Sequence, residues 1–177
     1  MRMLPTSLRV LALLAAVPFL ISVAVAEIPS AGDDCEADLV ETTPSSDFTP
    51  LKGGAVVRHE PTGLEWRRCP EGRDWSGGEC SGTALTRTWQ GALEHADEED
   101  GWRLPDINEV RSIVERCRVS PAINQQVFPD TPASHFWSAS PYLGYSYYAR
   151  NVYFLHGNVN WNLKSDNLRV RLVRDGQ

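Results

Sequence analysis

Four cysteines, Cys35, Cys69, Cys80 and Cys117, constrain the fold of this chain more than any other residues. An even number of cysteines in an exported protein favours disulfides, and three pairings are possible. Cys69 and Cys80 bracket the glycine-rich stretch PEGRDWSGGE, a loop that is easily closed. We therefore expect a Cys69–Cys80 bridge, with Cys35–Cys117 as the remaining pair. Zinc is the alternative, but the chain has no C-x-x-C or H-x-x-x-H spacing, so we expect no metal.

The first 26 residues have the pattern of a secretory signal peptide. Arg2 and Arg9 supply positive charge, and Val10 to Ala26 contains no charged residue. Ala24-Val25-Ala26 matches a small-x-small cleavage site, which predicts a cut after Ala26. A membrane helix is the rival interpretation, but the apolar run is short for a span. We expect a secreted or periplasmic protein without a membrane span after cleavage.

Cleavage would change the charge balance. The leader carries two arginines and no acid, so its removal leaves 151 of the 177 residues and moves the formal net charge from −6 to −8. This acidic balance argues against nucleic acid or an anionic membrane as a general partner. The C-terminal surface is instead expected to be locally basic. Between positions 150 and 174 a single acid accompanies Arg150, Lys164, Arg169, Arg171 and Arg174.

The hydrophobic periodicity divides the remaining chain into segments. Residues 27–50 are rich in Pro, Ser, Thr and Asp and predict an exposed lead-in to a folded domain over residues 51–177. Ala55 to Arg68 predicts a hairpin, because AVVRH and LEWRR flank the turn EPTG. From Phe136 onward the pattern is typical of short strands separated by glycine. With two helices between them, these segments indicate an α+β domain with an antiparallel sheet.

The two helices are expected from their caps and apolar faces. Thr88 can cap the first helix, which ends at the acidic run DEED. Pro105 precedes the second helix, with Asp106 and Glu109 in capping-box positions. The expected inner faces are Trp89, Ala92, Leu93 and Ala96 in the first helix and Ile107, Val110, Ile113, Val114 and Cys117 in the second.

No pattern in the sequence predicts catalysis. The DEED run lacks the alternating layout of a calcium loop, and nothing resembles a G-x-S-x-G nucleophile elbow. His59, His135 and His156 are scattered along the sequence, and His95 is expected on the polar surface of the first helix. We therefore expect neither an enzyme nor a cofactor.

Six segments resemble a known family and follow one another along the chain: TGLEWRRC, TWQGAL, GWRLPDINEVRSIV, PAINQQVFP, FWSASP and VRLVR. From about Val56 to Arg174 the chain resembles the Lcl C-terminal domain family, named for the terminal domain of a bacterial collagen-like adhesin. The RLP-plus-helix segment is also similar to that of formylglycine-generating enzymes and other proteins with a C-type-lectin-like fold. The resemblance implies a compact lectin-like domain with its termini close together. It does not imply the enzyme's chemistry, because the reactive cysteine pair has no counterpart after Cys117.

The C-terminal segment, Trp137 to Gln177, predicts a binding surface. All five tyrosines of the chain lie there, among asparagines on alternating positions. Such flat rings and adaptable amides are favoured on recognition surfaces. The alternative is that the alternation marks amphipathic strands with one face in the core; Val152 and Phe154 are expected inward, and Tyr147 and Tyr153 outward. The candidate ligand-binding residues are Tyr142, Tyr145, Tyr147, Tyr148, Arg150, Tyr153, Leu155, His156, Trp161, Leu163, Ser165, Asp166 and Asn167.

The same segment also resembles the variable region of retroelement-diversified proteins. Adenine-directed mutation of asparagine-type codons yields residues such as Asn, Tyr, Ser and His, but not Trp, Lys, Glu, Gln or Met. Between Ser140 and Arg169 only Trp161 and Lys164 lie outside the accessible set. This resemblance implies a binding face that is, or descends from, a diversified one.

Three functions remain open at the level of the sequence. The first is an adhesin-like recognition domain that binds a protein or glycan at a cell or host surface. The second is a glycan adhesin of fixed specificity, in which Arg150, Lys164 and Arg169 meet sulfate or carboxylate groups. The third is a structural envelope protein without a ligand. None of them implies a particular oligomeric state.

Overall fold

The computed structural model of the protein describes Cys35 and residues 38–176, so the expected signal peptide lies outside the described residues. Most of the regular structure in this part is β, with two α-helices, and the expected α+β class is confirmed. In chain order the strands and helices are β1 (Phe48–Leu51), β2 (Val56–His59), β3 (Leu64–Arg67), β4 (Arg73–Ser76), β5 (Glu79–Gly82), β6 (Thr86–Arg87), α1 (Trp89–Asp97), α2 (Ile107–Ser112), β7 (His135–Pro141), β8 (Tyr148–Tyr153), β9 (Asn158–Leu163), β10 (Leu168–Arg169) and β11 (Val173–Asp175).

The first sheet has the strand order β1-β2-β3-β11, and its pairings are antiparallel. The hairpin expected over Ala55 to Arg68 is confirmed by β2 and β3, in which Val57 lies opposite Trp66. On the other side of β3, Val173 also lies opposite Trp66, whose side chain is fully buried. The first and last strands of the domain therefore belong to one sheet, held around a central indole.

The second sheet has the order β6-β10-β7-β8-β9. Strands β7, β8 and β9 form an antiparallel meander, and β10 pairs with β7 in parallel. The two helices contribute to separate hydrophobic clusters. Ile107 of α2 belongs to the cluster that contains Phe136 and Val152, and Ala92 of α1 belongs to the cluster that contains Trp137 and Ala149. Because neighbouring residues of a strand point to opposite faces, α1 and α2 cover opposite faces of this sheet.

Both helices begin at their expected caps. The Thr88 hydroxyl accepts a hydrogen bond from the Gly91 amide, and Asp106 and Glu109 form a complete capping box. The helix α2 ends at Ser112, however. Its expected inner face is therefore helical only in part: Ile113, Val114 and Cys117 are buried, but they lie in the irregular segment that follows the helix.

The described part of the lead-in is less exposed than expected. Thr43 and Phe48 are buried, and β1 is a strand of the first sheet, so the prediction of exposure over residues 27–50 is wrong at these positions. The buried carboxylate of Glu115 holds this segment. It accepts hydrogen bonds from the backbone amides of Thr42 and Thr43, at 2.9 and 2.7 Å, and from their hydroxyl groups. Polar residues are therefore compatible with burial here because their donors meet a buried acceptor.

Both expected disulfides are present: Cys69–Cys80 joins the segment before β4 to strand β5, and Cys35–Cys117 attaches the N-terminal segment behind α2. Such bonds are typical of oxidising compartments. Among the described residues, no helix combines the length and the apolar character that a membrane crossing requires.

Candidate ligand-binding surface

Four aromatic rings form a row on the surface beside the second sheet. Trp161 of β9 stacks on Tyr142 with ring centroids 5.0 Å apart, Tyr142 stacks on Tyr145 at 5.9 Å, and Tyr145 meets the edge of Tyr148 at 6.2 Å. We call these four residues the aromatic ladder. Tyr145 is 63% exposed and Trp161 51% exposed. The rings are thus packed against one another rather than into a core.

The loop between β7 and β8 positions the ladder. It is closed by hydrogen bonds from the Tyr142 amide to the Tyr148 carbonyl, at 3.1 Å, and from the Tyr148 amide to the Tyr145 carbonyl, also at 3.1 Å. Gly144 provides the positive φ that the turn requires. The Lys164 amide donates to the Tyr147 carbonyl at 2.8 Å, which ties the loop to the end of β9. Backbone contacts on both sides therefore limit the freedom of the rings.

The edge strand β9 extends this surface. Its side chains Val159, Trp161 and Leu163 alternate along the strand and are all exposed, and Leu143 and Tyr147 project from the neighbouring loop. We call the ladder together with these exposed residues the aromatic face. A large exposed apolar patch of this kind is uncommon on a protein without a binding partner. The expected outward position of Tyr147, which is 77% exposed, is confirmed, as is the burial of Val152 and Phe154.

Other candidate residues lie elsewhere. Tyr153 is half-buried and stacks on His135, with centroids 4.0 Å apart, on the sheet face opposite Tyr148 and Arg150. Its expected outward exposure is therefore only partial. Leu155 and His156 lie in the β8–β9 turn, and the β9–β10 turn holds the remaining three candidates, Ser165, Asp166 and Asn167.

Several asparagines contribute to the framework. Asn151 is fully buried; its carbonyl oxygen lies 2.8 Å from His135 Nδ1, and its amide nitrogen donates to the Asn162 side chain at 3.1 Å. Asn162 in turn donates to Asp166 at 3.0 Å. This chain of side chains connects β7, β8, β9 and the following turn. Amides that resemble recognition residues in the sequence thus hold the strands in place.

A groove of about 510 Å³ lies between the α2 region and the β8–β9 hairpin. We call it the arginine groove. It adjoins the aromatic face, since Val159 belongs to both and Arg150 lies opposite Trp161 in the β8–β9 register. The groove is lined by Ile107, Asn108, Arg111, Val114, Arg116, Arg150, His156, Gly157, Asn158 and Val159.

The basic C-terminal surface expected from the sequence is largely absent. Lys164 lies over the Trp89 ring at 4.2 Å, Arg169 donates to the Ala84 carbonyl, and Arg174 pairs with Glu65. Arg171 is buried. Of the five basic residues in this stretch, only Arg150 lines the groove. Its two companions, Arg111 and Arg116, were not expected from the sequence, where the only signal is their position outside the apolar face of the α2 segment.

A second group of titratable side chains lies next to α1. His95 Nε2 is 3.0 Å from Glu71, and the Arg67 guanidinium bridges Glu71 and Glu99. The hydrogen bond from Arg67 lowers the pKa of Glu99 below its usual value. His95 is thus partly buried and paired, not on a free polar surface as expected. Because Arg67 stands between the two carboxylates, it neutralises charge that a metal ion would otherwise meet.

The fold and the surface define an α+β domain with an exposed aromatic face on one sheet edge and a basic groove beside it. The family model of the Lcl C-terminal domain matches residues 55–174, so the chain belongs to the Lcl C-terminal domain family. A comparison with curated proteins finds no significant match.

Proposed function

We propose that this protein is a secreted or periplasmic recognition domain, adhesin-like in role, that binds its ligand at the aromatic face. The observation that carries the proposal is the row of exposed rings, held in place by backbone hydrogen bonds, along a free strand edge. Tyr and Trp side chains bury much area on contact and lose little conformational entropy, so a pre-arranged row favours binding. The ligand would be a protein or glycan at a cell or host surface.

A C-type-lectin-like arrangement of the domain is part of this proposal. Two features support it: the first and last strands share one sheet, and two helices precede the β7–β9 meander that carries the aromatic face. Two disulfides brace the segments around them. The family name supports an adhesive role only by analogy, since fold and function separate readily.

The experiment that tests binding is a triple variant, Tyr145→Ala with Tyr147→Ala and Trp161→Ala. We expect each exposed replacement to change the free energy of unfolding by no more than about 0.5 kcal/mol. Retention on an array of neutral and acidic glycans and immobilised cell-surface proteins should fall at least about tenfold, because central aromatic residues dominate interfaces. The measurements are urea unfolding and surface binding.

A control and two contrary outcomes make this test decisive. Leu39 and Val119 are exposed apolar residues outside the aromatic face, and Leu39→Ala with Val119→Ala should retain binding. Unfolding of the triple variant would show that the rings support the core. Binding equal to that of the unchanged protein would show that the ligand contacts another surface.

The second candidate function is a glycan adhesin of fixed specificity, and Arg150 favours it. This side chain has no partner among the described residues and its strand position is opposite Trp161, so a cation lies beside a ring on which a sugar could stack. Lys164 and Arg169, the other two cations of this hypothesis, are engaged with Trp89 and Ala84. If this second function is correct, the affinity for acidic glycans should fall as the salt concentration is raised.

Sequence variation at the aromatic face within a population would distinguish the diversified recognition domain from the glycan adhesin of fixed specificity. We expect deep sequencing of the coding region across a population of the source cells to show substitutions at Tyr142, Leu143, Tyr145 and other exposed positions between Ser140 and Arg169. Trp161 and Lys164, which lie outside the accessible set, should stay fixed. Buried positions such as Asn151 should stay constant, because replacing them would break the strand framework. Identical reads at the exposed positions would oppose diversification and favour fixed specificity.

A further inference from the structure

We propose that the arginine groove is an anion-binding subsite that takes a phosphate monoester. The proposal concerns a site that adjoins the aromatic face and stands whether or not that face binds a ligand. It rests on where the unpaired arginines of the domain lie, on the absence of competing carboxylates among the lining residues, and on the size and charge of the groove.

The unpaired arginines are not scattered over the surface. In the part of the chain that the structure describes, the guanidinium groups of Arg111, Arg116 and Arg150 make no hydrogen bond or ion pair, and all three line this groove. Every other described arginine has a partner within the protein. These are Arg58, Arg67, Arg68, Arg73, Arg87, Arg103, Arg118, Arg169, Arg171 and Arg174.

The carboxylates that could neutralise these arginines from the same segment are engaged elsewhere. Asp106 caps α2, Glu109 pairs with Arg103 at 2.7 Å, and Glu115 accepts the donors of Thr42 and Thr43. No acidic residue is among the lining residues of the groove. Three cations therefore face one partly enclosed space without a counter-charge from the residues that the structure describes, and their mutual repulsion is relieved when an anion enters.

The chemistry of the groove favours a compact, multiply charged anion. A phosphate monoester carries nearly two negative charges at neutral pH and three acceptor oxygens on one atom. The guanidinium fork matches such oxygens in a bidentate manner. Carboxylate and sulfate ester groups carry one charge each. A cavity of about 510 Å³ also accommodates the sugar or glycerol to which the phosphate is attached, with Asn108 and Asn158 as further hydrogen-bonding groups.

Titration calorimetry with glucose 6-phosphate, and with glucose 6-sulfate as the singly charged analogue, tests the proposal. We expect the phosphate to bind at least about tenfold more tightly than the sulfate, and the double variant R111Q/R116Q to lose at least about tenfold in affinity, as expected when charge-assisted hydrogen bonds are removed. R150Q should lose a comparable factor. The matched control is R87Q, because Arg87 is exposed and lies outside the groove, and its guanidinium donates to the carbonyl of the preceding residue, Thr86.

The outcomes separate this site from the aromatic face and one phosphate source from another. Equal affinity for the two sugars, no loss in R111Q/R116Q, or an equal loss in R87Q would overturn the proposal. Arg111 and Arg116 are exposed, so their variant is expected to fold even if R150Q does not. Flotation with phosphatidylcholine vesicles that contain phosphatidic acid distinguishes a lipid headgroup from a soluble sugar phosphate. The triple aromatic variant should bind glucose 6-phosphate as the unchanged protein does.

Discussion

Replacement of Glu115 by alanine is expected to lower the free energy of unfolding by about 3 kcal/mol or more, because several donors lose a charged acceptor at once. The carboxylate is fully buried and accepts from the amides of Thr42, Thr43 and Cys117 and from both threonine hydroxyls. Thr43 and Cys117 are themselves buried, so water replaces the acceptor poorly. Urea unfolding at neutral pH measures the loss. Glu98→Ala, at an exposed glutamate that caps the end of α1, is the matched control and should change stability by no more than about 0.5 kcal/mol.

The pH dependence of the same group gives an independent check. Burial alone would raise the pKa of Glu115, but the hydrogen bonds from Thr42, Thr43 and Cys117 together outweigh it and hold the pKa below its usual value of 4.5. A carboxyl with a lowered folded pKa stabilises the fold fully above the unfolded pKa and loses that contribution as the pH falls through the folded one. The stability gap between the unchanged protein and Glu115→Gln should therefore narrow below about pH 4.5. A gap that stays constant down to pH 3 would contradict this account.

The parts of the fold that the sequence predicts are those with local signals. The Asp106 and Glu109 capping box, the Thr88 cap and the turn between β2 and β3 each depend on residues a few positions apart. The Cys69–Cys80 bridge closes a short loop for the same reason. Such signals act before the chain is compact, so they can be recognised without knowledge of the tertiary structure.

Pairings between distant segments could not be predicted in this way. Nothing near β11 indicates that Val173 lies opposite Trp66, and nothing in the lead-in indicates that Thr43 meets Glu115 across 72 positions. The polar composition of residues 27–50 predicted exposure, but a polar segment is buried at little cost when a buried carboxylate accepts its donors. Helix α2 ended early because the segment after Ser112 packs against residues far away in the sequence.

In the candidate site, too, features that depend on nearby residues were predictable and those that depend on distant segments were not. The rings of the aromatic ladder were predictable because they lie close together in the sequence, between Tyr142 and Trp161. The basic groups were misplaced, because closeness in sequence was taken for closeness in space. Arg169, Arg171 and Arg174 are engaged within the domain, with the carbonyls of Ala84 and Arg67 and with Glu65. Arg111 and Arg116 instead reach the groove from α2 and the segment behind it.

Arg171 shows why these basic residues were misplaced, because its cation is buried and has no ion pair at hydrogen-bond distance within the described part of the chain. Its guanidinium donates to the carbonyls of Arg67 and Arg68 and to the Thr131 hydroxyl, and it lies 4.9 Å from the Phe128 ring. Burial lowers the pKa of Arg171 to about 9, with Glu71 opposing the shift, so the side chain stays protonated at neutral pH. The arginine thus joins the end of β3 to the C-terminal strands, and its place in VRLVR reflects the fold rather than a ligand.

Two opposing effects determine how the Arg171→Met substitution changes the free energy of unfolding. Removing a buried cation relieves its desolvation, and well-packed apolar replacements of buried charges are sometimes neutral or stabilising. Here, however, two backbone carbonyls and the Thr131 hydroxyl oxygen would lose their donor, at about 1–3 kcal/mol for each buried group left unsatisfied. We expect the second effect to dominate, with a net loss of about 2–4 kcal/mol in the free energy of unfolding.

Urea unfolding of three variants checks this balance. Arg171→Lys keeps the charge but not the planar fork, so its stability should lie between that of Arg171→Met and that of the unchanged protein. Arg87→Met, at an exposed arginine, should leave stability within about 0.5 kcal/mol. A methionine variant as stable as the unchanged protein would mean that desolvation of the cation cancels its hydrogen bonds. In that case the VRLVR arginine would not be explained by stability, and its role would have to be sought in binding.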